Sequence, residues 1–118
     1  MDAGIYIAVL YMPKDRLICI GKLGWLHFRQ GIYFYVGSAQ LNLSKRLEHH
    51  SKKKKVLRWH IDYLSTKAKM LGAITIAGPQ ELECQLARKF SGQFEVPVPG
   101  FGASDCRCKG HLFYAPQF

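Results

Sequence analysis

The chain has 118 residues, a length that suits one domain with its own hydrophobic core, and we expect a single domain over residues 1–118. Its 17 lysines and arginines outnumber 8 acidic residues, and the formal net charge of +9 favours a polyanionic partner, nucleic acid first. The cysteines do not form the pattern of a secreted disulfide framework, and no segment approaches the roughly 18 apolar residues of a membrane span. We therefore expect a cytoplasmic protein with no membrane partner.

The first third of the chain alternates apolar side chains with other side chains, which is the period of a β-strand. The predicted strands span residues 4–10, 17–21, 25–29 and 31–38, and the short turns between them predict a meander. In the first strand, Tyr6 lies on the face opposite Ile5 and Ile7. In the fourth strand, Tyr35 lies on the face opposite Phe34. If the apolar faces of the two strands align, both tyrosines lie on the same side of the sheet.

Two glycines flank the tyrosines of the fourth strand, in the stretch Gly31-Ile32-Tyr33-Phe34-Tyr35-Val36-Gly37. Glycine in a strand lets another backbone or a ligand approach closely. A phenol beside such a gap can donate a hydrogen bond or transfer a proton. Aromatic residues also favour strands for packing reasons alone, and this alternative stays open.

Helical spacing of apolar residues follows in three segments, and a fifth strand separates the last two. The predicted helices span residues 42–51, 56–66 and 79–90, and the strand spans 68–77. Together these elements predict an α+β fold, with an antiparallel or mixed sheet of about four to five strands flanked by three helices.

The first predicted helix carries a polar pair beside its apolar stripe. Leu43 and Leu47 form the stripe, and Arg46 and His50, also four residues apart, form a neighbouring row that lies near the sheet. An ordinary amphipathic helix with a solvated arginine is the alternative interpretation.

The second and third predicted helices each place one carboxylate relative to their buried faces. Leu57, Ile61 and Leu64 form the stripe of the second helix, so Asp62 is predicted to point away from the core. In the third helix, Glu83 falls on the border of the core face. A carboxylate held there needs a cation, a hydrogen bond or a metal as its partner.

Basic residues cluster between positions 45 and 58, where a lysine run is the most prominent feature. We expect these side chains to contact phosphates, which supplies salt-sensitive affinity without sequence preference. A solvated loop is the alternative. The predicted nucleic-acid-binding residues are Lys45, Lys52, Lys53, Lys54, Lys55 and Arg58.

At this point the chain resembles a known family. Gly4-Ile5-Tyr6 and Tyr35-Val36-Gly37 are similar to the paired tripeptides of the GIY-YIG nuclease superfamily. The segments 58–64 and 99–113 resemble a branch of small uncharacterised prokaryotic domains, sometimes fused to endonuclease III. The long spacing between the two tripeptides leaves room for the predicted hairpin over residues 17–29.

The resemblance implies a divalent-metal-dependent endonuclease, with DNA as the expected substrate and DNA repair as the expected role, alongside a repair-protein partner. Its catalytic residues are Tyr6, Tyr35, Arg46, His50 and Glu83. Glu83 would bind one Mg²⁺ or Mn²⁺ ion, Arg46 would stabilise charge on the phosphate, and Tyr6 would act as general base with Tyr35 sharing the proton. Because free tyrosine has a pKa near ~10, we expect nearby cations, Arg46 and His50 among them, to lower it.

A second function stays open, namely a catalytically weakened DNA-binding module on the same fold. Many superfamily members carry an asparagine after the glutamate helix, whereas this chain has none after Asn42. Ser104 or Asp105 would have to take its place.

Cysteine and histidine residues near the C-terminus raise the question of a structural zinc site. Cys106, Cys108 and His111 are zinc-type ligands, with Cys84 as a further candidate. Their Cys-x-Cys spacing is tighter than that of zinc fingers and favours a reduced, partly buried closing segment instead.

Overall fold

A four-stranded antiparallel sheet lies at the centre of the computed structural model, which describes residues 2–103 and 108–115. Its strands stand in the order β5-β1-β4-β6 and span Gly4–Met12 (β1), Gly31–Ala39 (β4), Lys69–Ile76 (β5) and Leu112–Ala115 (β6). A separate hairpin pairs Arg16–Cys19 (β2) with Trp25–Phe28 (β3). The helices span Leu43–Ser51 (α1), His60–Ser65 (α2) and Glu81–Ser91 (α3). The predicted α+β class is confirmed.

The two longest strands, β1 and β4, pair along their whole length and form the middle of the sheet. Their register places Tyr6 directly opposite Gly37. Tyr6 and Tyr35 lie on the same face, with ring centroids 6.2 Å apart, as the aligned apolar faces predicted. The predicted meander is wrong, because the β2–β3 hairpin leaves the sheet and lets β4 return beside β1.

Both faces of β1 and β4 are largely buried, so the tyrosine face is also part of the core. On that face, Tyr6, Tyr33 and Tyr35 pack with residues of α1 and α2, such as Leu43 and Leu64. On the other face, a second cluster packs the apolar row of α3 against the sheet. Its buried members are Ile5, Ile7, Val36, Ala87 and Phe113.

The second helix is shorter than predicted and begins four residues later. Residues 56–59 are not helical, and Leu57 is exposed rather than part of a buried stripe. Asp62, which the longer helix directed to solvent, is fully buried with a relative exposure of 0%. Its carboxylate accepts hydrogen bonds from the backbone N–H groups of Arg58 and Trp59 at the start of α2. These hydrogen bonds satisfy backbone amides at the start of the helix, and they determine the residue at which α2 begins.

Strand β6 was not predicted from the sequence, and its four residues pair with β4 as an edge of the sheet. The sequence-based expectations for Ser104, Asp105 and Cys106 lie outside the described residues. Within residues 2–103 and 108–115, no helix combines the length and the apolar character needed to cross a membrane.

Candidate active site

A cleft of about 380 Å³ opens beside the central strands, and it collects most of the predicted catalytic residues. Tyr6, Tyr35, Arg46 and Glu83 all line it, although they come from β1, β4, α1 and α3. His50 lies behind Tyr6, inside the core. The remaining lining residues are Gly37, Ser38, Trp59, Gln80, Glu81, Cys84 and Gly102.

The position of Tyr6 depends on the glycine across the strand pair. A Cβ atom at Gly37 would lie 2.4 Å from both the Cζ and the hydroxyl oxygen of Tyr6, a separation that real contacts do not reach. The phenol therefore lies directly over the Gly37 backbone. Gly102 plays a similar part for Tyr35, because a Cβ there would lie 3.0 Å from the ring.

The Tyr6 hydroxyl forms a buried hydrogen bond with His50, with 2.8 Å between the oxygen and Nε2. Burial lowers the pKa of His50, so the imidazole is neutral at pH 7 and its Nε2 can accept the phenol proton. Burial also raises the pKa of Tyr6, and the opposing effect of Arg46 is smaller. The expectation that Arg46 and His50 bring the pKa of Tyr6 below its ordinary value is therefore wrong, because desolvation outweighs Arg46 and His50 is not a cation.

Tyr35 is a neutral phenol for the same reason. Burial raises its pKa well above the ordinary value, and the neighbouring Tyr6 and Glu83 raise it further. Its ring packs edge-on against His50 and Phe101. A neutral Tyr35 can donate a hydrogen bond, but it does not carry charge into the cleft.

Asp62 lies behind His50 and completes a row of polar groups that runs inward from the cleft. Its Oδ1 atom lies 3.7 Å from Nδ1 of His50 and 3.0 Å from Nε2 of His49. Burial alone raises the pKa of a carboxyl group, but His50 and the N–H groups of Trp59 and Arg58 outweigh burial and hold the pKa of Asp62 well below its usual range. The carboxylate is therefore ionised. Although no hydrogen bond joins it to Nδ1 of His50, its negative charge favours the tautomer with the proton on that atom, which leaves Nε2 facing Tyr6.

Arg46 is held at the rim of the cleft by two contacts. Its Nη1 atom donates a 2.6 Å hydrogen bond to the backbone oxygen of Ser38, and its guanidinium lies over the Trp59 ring, 4.8 Å from the centroid. The remaining guanidinium donors lie beside the cleft. Since arginine stays charged and donates in a fixed fork, it can hold a phosphate group there.

Glu83 enters the cleft from the first turn of α3, with its side chain 19% exposed. Its Oε1 accepts a 2.6 Å hydrogen bond from Ser38 Oγ, and its Oε2 lies 2.9 Å from Nδ1 of His111. Burial raises the pKa of Glu83, but the hydrogen bonds from His111 and Ser38 outweigh it, and the net pKa is lowered. The group is thus an ionised carboxylate at the edge of the water-accessible cleft.

The donor chemistry at Glu83 fits a hard divalent cation. A carboxylate oxygen has two lone pairs, so each oxygen of Glu83 can accept one hydrogen bond and still offer a ligand site. The side-chain amide of Gln80 adds a further oxygen atom to the same cleft. Oxygen donors with room for water are what Mg²⁺ and Mn²⁺ prefer.

The predicted phosphate-binding residues divide into an exposed set and one buried lysine. Lys45, Lys54 and Arg58 are exposed, and Lys52 forms an exposed ion pair with Glu48. Lys53 is exposed overall, although its amino group donates to the backbone oxygen of Ala68.

Lys55 belongs to the interior, because its side chain is only 2% exposed. Its ammonium donates to Ser65 Oγ at 2.5 Å and to the backbone oxygens of His49 and His50, and it lies 4.0 Å from Asp62 Oδ1. The structure thus places this lysine as the internal counter-charge of Asp62 rather than on the exposed basic surface.

Sequence reasoning missed the parts played by Ser38 and Trp59, which line the cleft, and by His49 and Asp62, which lie behind it around His50. Ser38 directly follows Gly37, so its place at the end of β4 was readable from the strand. Trp59 and Asp62 were misplaced because the second helix was started too early. The available signal was Asp62 itself, because acidic residues are enriched in the first turn of a helix, which places the start of this helix near residue 60.

The fold and the cleft define a small α+β domain with a charged, tyrosine-lined site. Residues 5–118 match the family model described as a domain of unknown function, DUF123, and the chain belongs to this family. No curated protein and no solved structure matches the chain.

Proposed function

We propose that the protein is a divalent-metal-dependent endonuclease of the GIY-YIG type, which hydrolyses phosphodiester bonds in nucleic acid. We propose DNA rather than RNA as its substrate. The observation that carries this proposal is the meeting of Tyr6, Tyr35, Arg46 and Glu83 around one cleft. These residues come from distant parts of the chain, and the resemblance to that superfamily selects the same four together with His50, which lies behind Tyr6. A role in DNA repair with a partner protein belongs to the same proposal.

The Tyr6–His50 pair supplies the general base. As water attacks the phosphorus, its proton passes to the Tyr6 oxygen while the phenol proton moves to Nε2 of His50 across the 2.8 Å hydrogen bond. The resulting imidazolium faces the Asp62 carboxylate, which stabilises its charge. The phenol thus relays the proton without first ionising, which its raised pKa would oppose.

Arg46 and Glu83 are the residues that would offset the negative charge of the phosphate. The Arg46 guanidinium donates to the non-bridging oxygens, where negative charge grows in the transition state. Glu83 would hold the divalent cation, which would supply positive charge to offset the negative charge of the phosphate. The neutral Tyr35 phenol packs beside Tyr6 and keeps its ring in place.

Gly37→Ala tests the dependence of this arrangement on the close approach of Tyr6. The added methyl would overlap the Tyr6 phenol, so we expect it to displace the ring from His50, to lower stability by about 1–3 kcal/mol and to reduce cleavage. Gly72→Ala is the matched control, because a Cβ at that position of β5 meets nothing within 4 Å. Thermal unfolding and cleavage rates are measured for both. Equal behaviour of the two variants would contradict the assigned position of Tyr6.

The exposed basic residues provide affinity for the nucleic-acid backbone. We expect Lys45→Ala and Lys54→Ala to weaken DNA binding alike for all sequences and to reduce its dependence on salt, each lowering the slope of log K against log [salt] by about 1. Fluorescence anisotropy over a range of salt concentrations measures this. An unchanged slope in the double variant would place the phosphate contacts elsewhere.

A catalytically weakened DNA-binding module is the second candidate, and one observation favours it. Both oxygens of Glu83 already have hydrogen-bond partners inside the protein, Ser38 and His111, so the carboxylate is satisfied without a cation. Such a module would keep the basic surface and lose the chemistry.

Cleavage of a labelled panel of duplex, flapped, branched and single-stranded DNAs, with Mg²⁺ or Mn²⁺, tests the proposal. Metal-dependent cutting that disappears in Arg46→Ala supports the nuclease. Salt-sensitive binding with no cutting on the whole panel supports the binding module and overturns the nuclease.

A further inference from the structure

A cluster of sulfur and nitrogen ligands lies beside the cleft, at a place that the proposed reaction does not use. Cys84, Cys108 and His111 bring one ligand atom each to within 4.8 Å of one another. Cys84 is on α3, directly after Glu83, whereas Cys108 and His111 belong to the segment that leads into β6. Distant parts of the chain thus present two thiols and an imidazole to one point.

The hydrogen bonds of His111 fix which of its ring nitrogens can bind a metal. Its Nδ1 lies 3.1 Å from the backbone oxygen of Val36 and 2.9 Å from Oε2 of Glu83. Both neighbours are acceptors, so Nδ1 must carry the proton. Nε2 is then the nitrogen that can present a lone pair. An imidazole that donates one N–H to a carboxylate or carbonyl and binds a metal through the other nitrogen is a recurrent arrangement in metal sites.

We propose that Cys84, Cys108 and His111 bind a zinc ion through two thiolates and Nε2, and that this site fixes the orientation of Glu83. Thiolate and imidazole ligands favour zinc over magnesium, whereas the oxygen ligands at Glu83 suit Mg²⁺ or Mn²⁺, so the two sites would take different ions side by side. Binding releases the two thiol protons to solvent. Zinc binding itself does not depend on the proposed nuclease function; only its effect on cleavage does.

The position of the cluster indicates what a bound ion would do. The ion would join α3 to the segment before β6. His111 also contacts β4, because the Val36 N–H donates a 2.9 Å hydrogen bond to the backbone oxygen of His111. The imidazole that binds zinc at one nitrogen holds the Glu83 carboxylate at the other. Loss of zinc is therefore expected to release both the sheet edge and the carboxylate that faces the cleft.

A second group of potential ligands in the described residues, His49, His50 and Asp62, carries no such inference. The Nε2 atom of His50 is hydrogen-bonded to the Tyr6 hydroxyl. The Lys55 ammonium lies 4.0 Å from Oδ1 of Asp62, the oxygen atom that a metal ion would need. A buried cation beside that oxygen repels a second one. Zinc is therefore assigned to the cysteine cluster alone.

Metal analysis of the full chain, purified without chelators from zinc-supplemented medium, tests the proposal. We expect a single zinc ion per chain in the parent, and loss of most of it in Cys84→Ser and in Cys108→Ser. Cys19→Ser is the matched control, because Cys19 lies on β2 outside the cluster, and it is expected to keep the ion. No zinc in the parent, or full zinc in both cluster variants, overturns the proposal.

Two further measurements test the zinc site without relying on a cysteine variant that fails to fold. Replacement of the zinc in the parent by Co²⁺ is expected to give a thiolate-to-cobalt charge-transfer band, and its absence contradicts thiolate ligands. Zinc analysis of Glu83→Gln separates this inference from the proposed nuclease. That variant is expected to keep zinc whether or not the parent cuts DNA, so zinc bound to an inactive parent supports the site while the nuclease fails.

Discussion

Glu83→Gln is expected to abolish metal-dependent cleavage, lowering the rate by about a thousandfold or more while DNA binding is kept. The amide has the shape of the carboxylate and can still accept the Ser38 hydrogen bond, but it lacks the charge that attracts a hard cation. The loss of charge stabilisation at one position of a preorganised site costs roughly 10²–10³ in rate by itself, and the bound cation adds to it.

The control for this variant is Glu81→Gln, since Glu81 also lines the cleft and lies two residues away on the same helix. Glu81 is exposed and outside the contacts with Ser38 and His111 that position Glu83. Its substitution is expected to change the rate by only a few fold. If Glu81→Gln removes cleavage and Glu83→Gln keeps it, the metal ligand was assigned to the wrong carboxylate. Rates at several Mg²⁺ concentrations show whether metal affinity or turnover has changed.

The strands and the two tyrosines of the cleft could be predicted because strand geometry has a period of two residues. That period alone places Tyr6 and Tyr35 on one face once the apolar residues are aligned. The same reasoning could not show that the tyrosine face is buried as deeply as the other face. Burial depends on α1 and α2 covering the sheet, and it is burial that reverses the expected direction of the Tyr6 pKa.

Asp62 and β6 were missed for different physical reasons. The true start of α2 is decided by which backbone amides find an acceptor, and the apolar spacing of Leu57, Ile61 and Leu64 suggested a longer helix that burial does not support. Strand β6 has only four residues, all buried, so its sequence shows no alternation. Its position is set by pairing with β4, a contact between distant parts of the chain that local pattern cannot supply.

Asp62→Asn is expected to lower the free energy of unfolding at pH 7 by about 3–5 kcal/mol, the largest stability loss among the proposed variants. The carboxylate accepts hydrogen bonds at both oxygens, from His49 at Oδ1 and from the Arg58 and Trp59 amides at Oδ2. An asparagine must turn its NH₂ group toward one set of donors. The buried Lys55 ammonium also loses the nearest negative charge. Asp15→Asn is the control, because it removes the same charge from an exposed carboxylate with a single backbone hydrogen bond.

The pH dependence of this difference separates the charge of Asp62 from its shape. The pKa of Asp62 is lowered in the folded protein, so its stabilising effect is complete above the unfolded value of about 3.9 and is lost as the pH falls toward the folded value. Denaturant unfolding of parent and variant should therefore converge below about pH 4, since the unfolded parent then binds the proton that the variant lacks.

His50 adds a second pH dependence to the free energy of unfolding, at higher pH than Asp62. The Asp62→Asn variant should retain this dependence. Its pKa is lowered by burial, so the folded protein keeps it neutral while the unfolded chain takes up a proton below about pH 6.5. Parent and Asp62→Asn should both lose stability between about pH 6.5 and 5, because desolvation of the imidazole does not require the carboxylate. A stability difference that stays constant from pH 7 to 3 would mean that Asp62 contributes hydrogen-bond geometry and no charge, and the row from Tyr6 through His50 to Asp62 would lose its electrostatic basis.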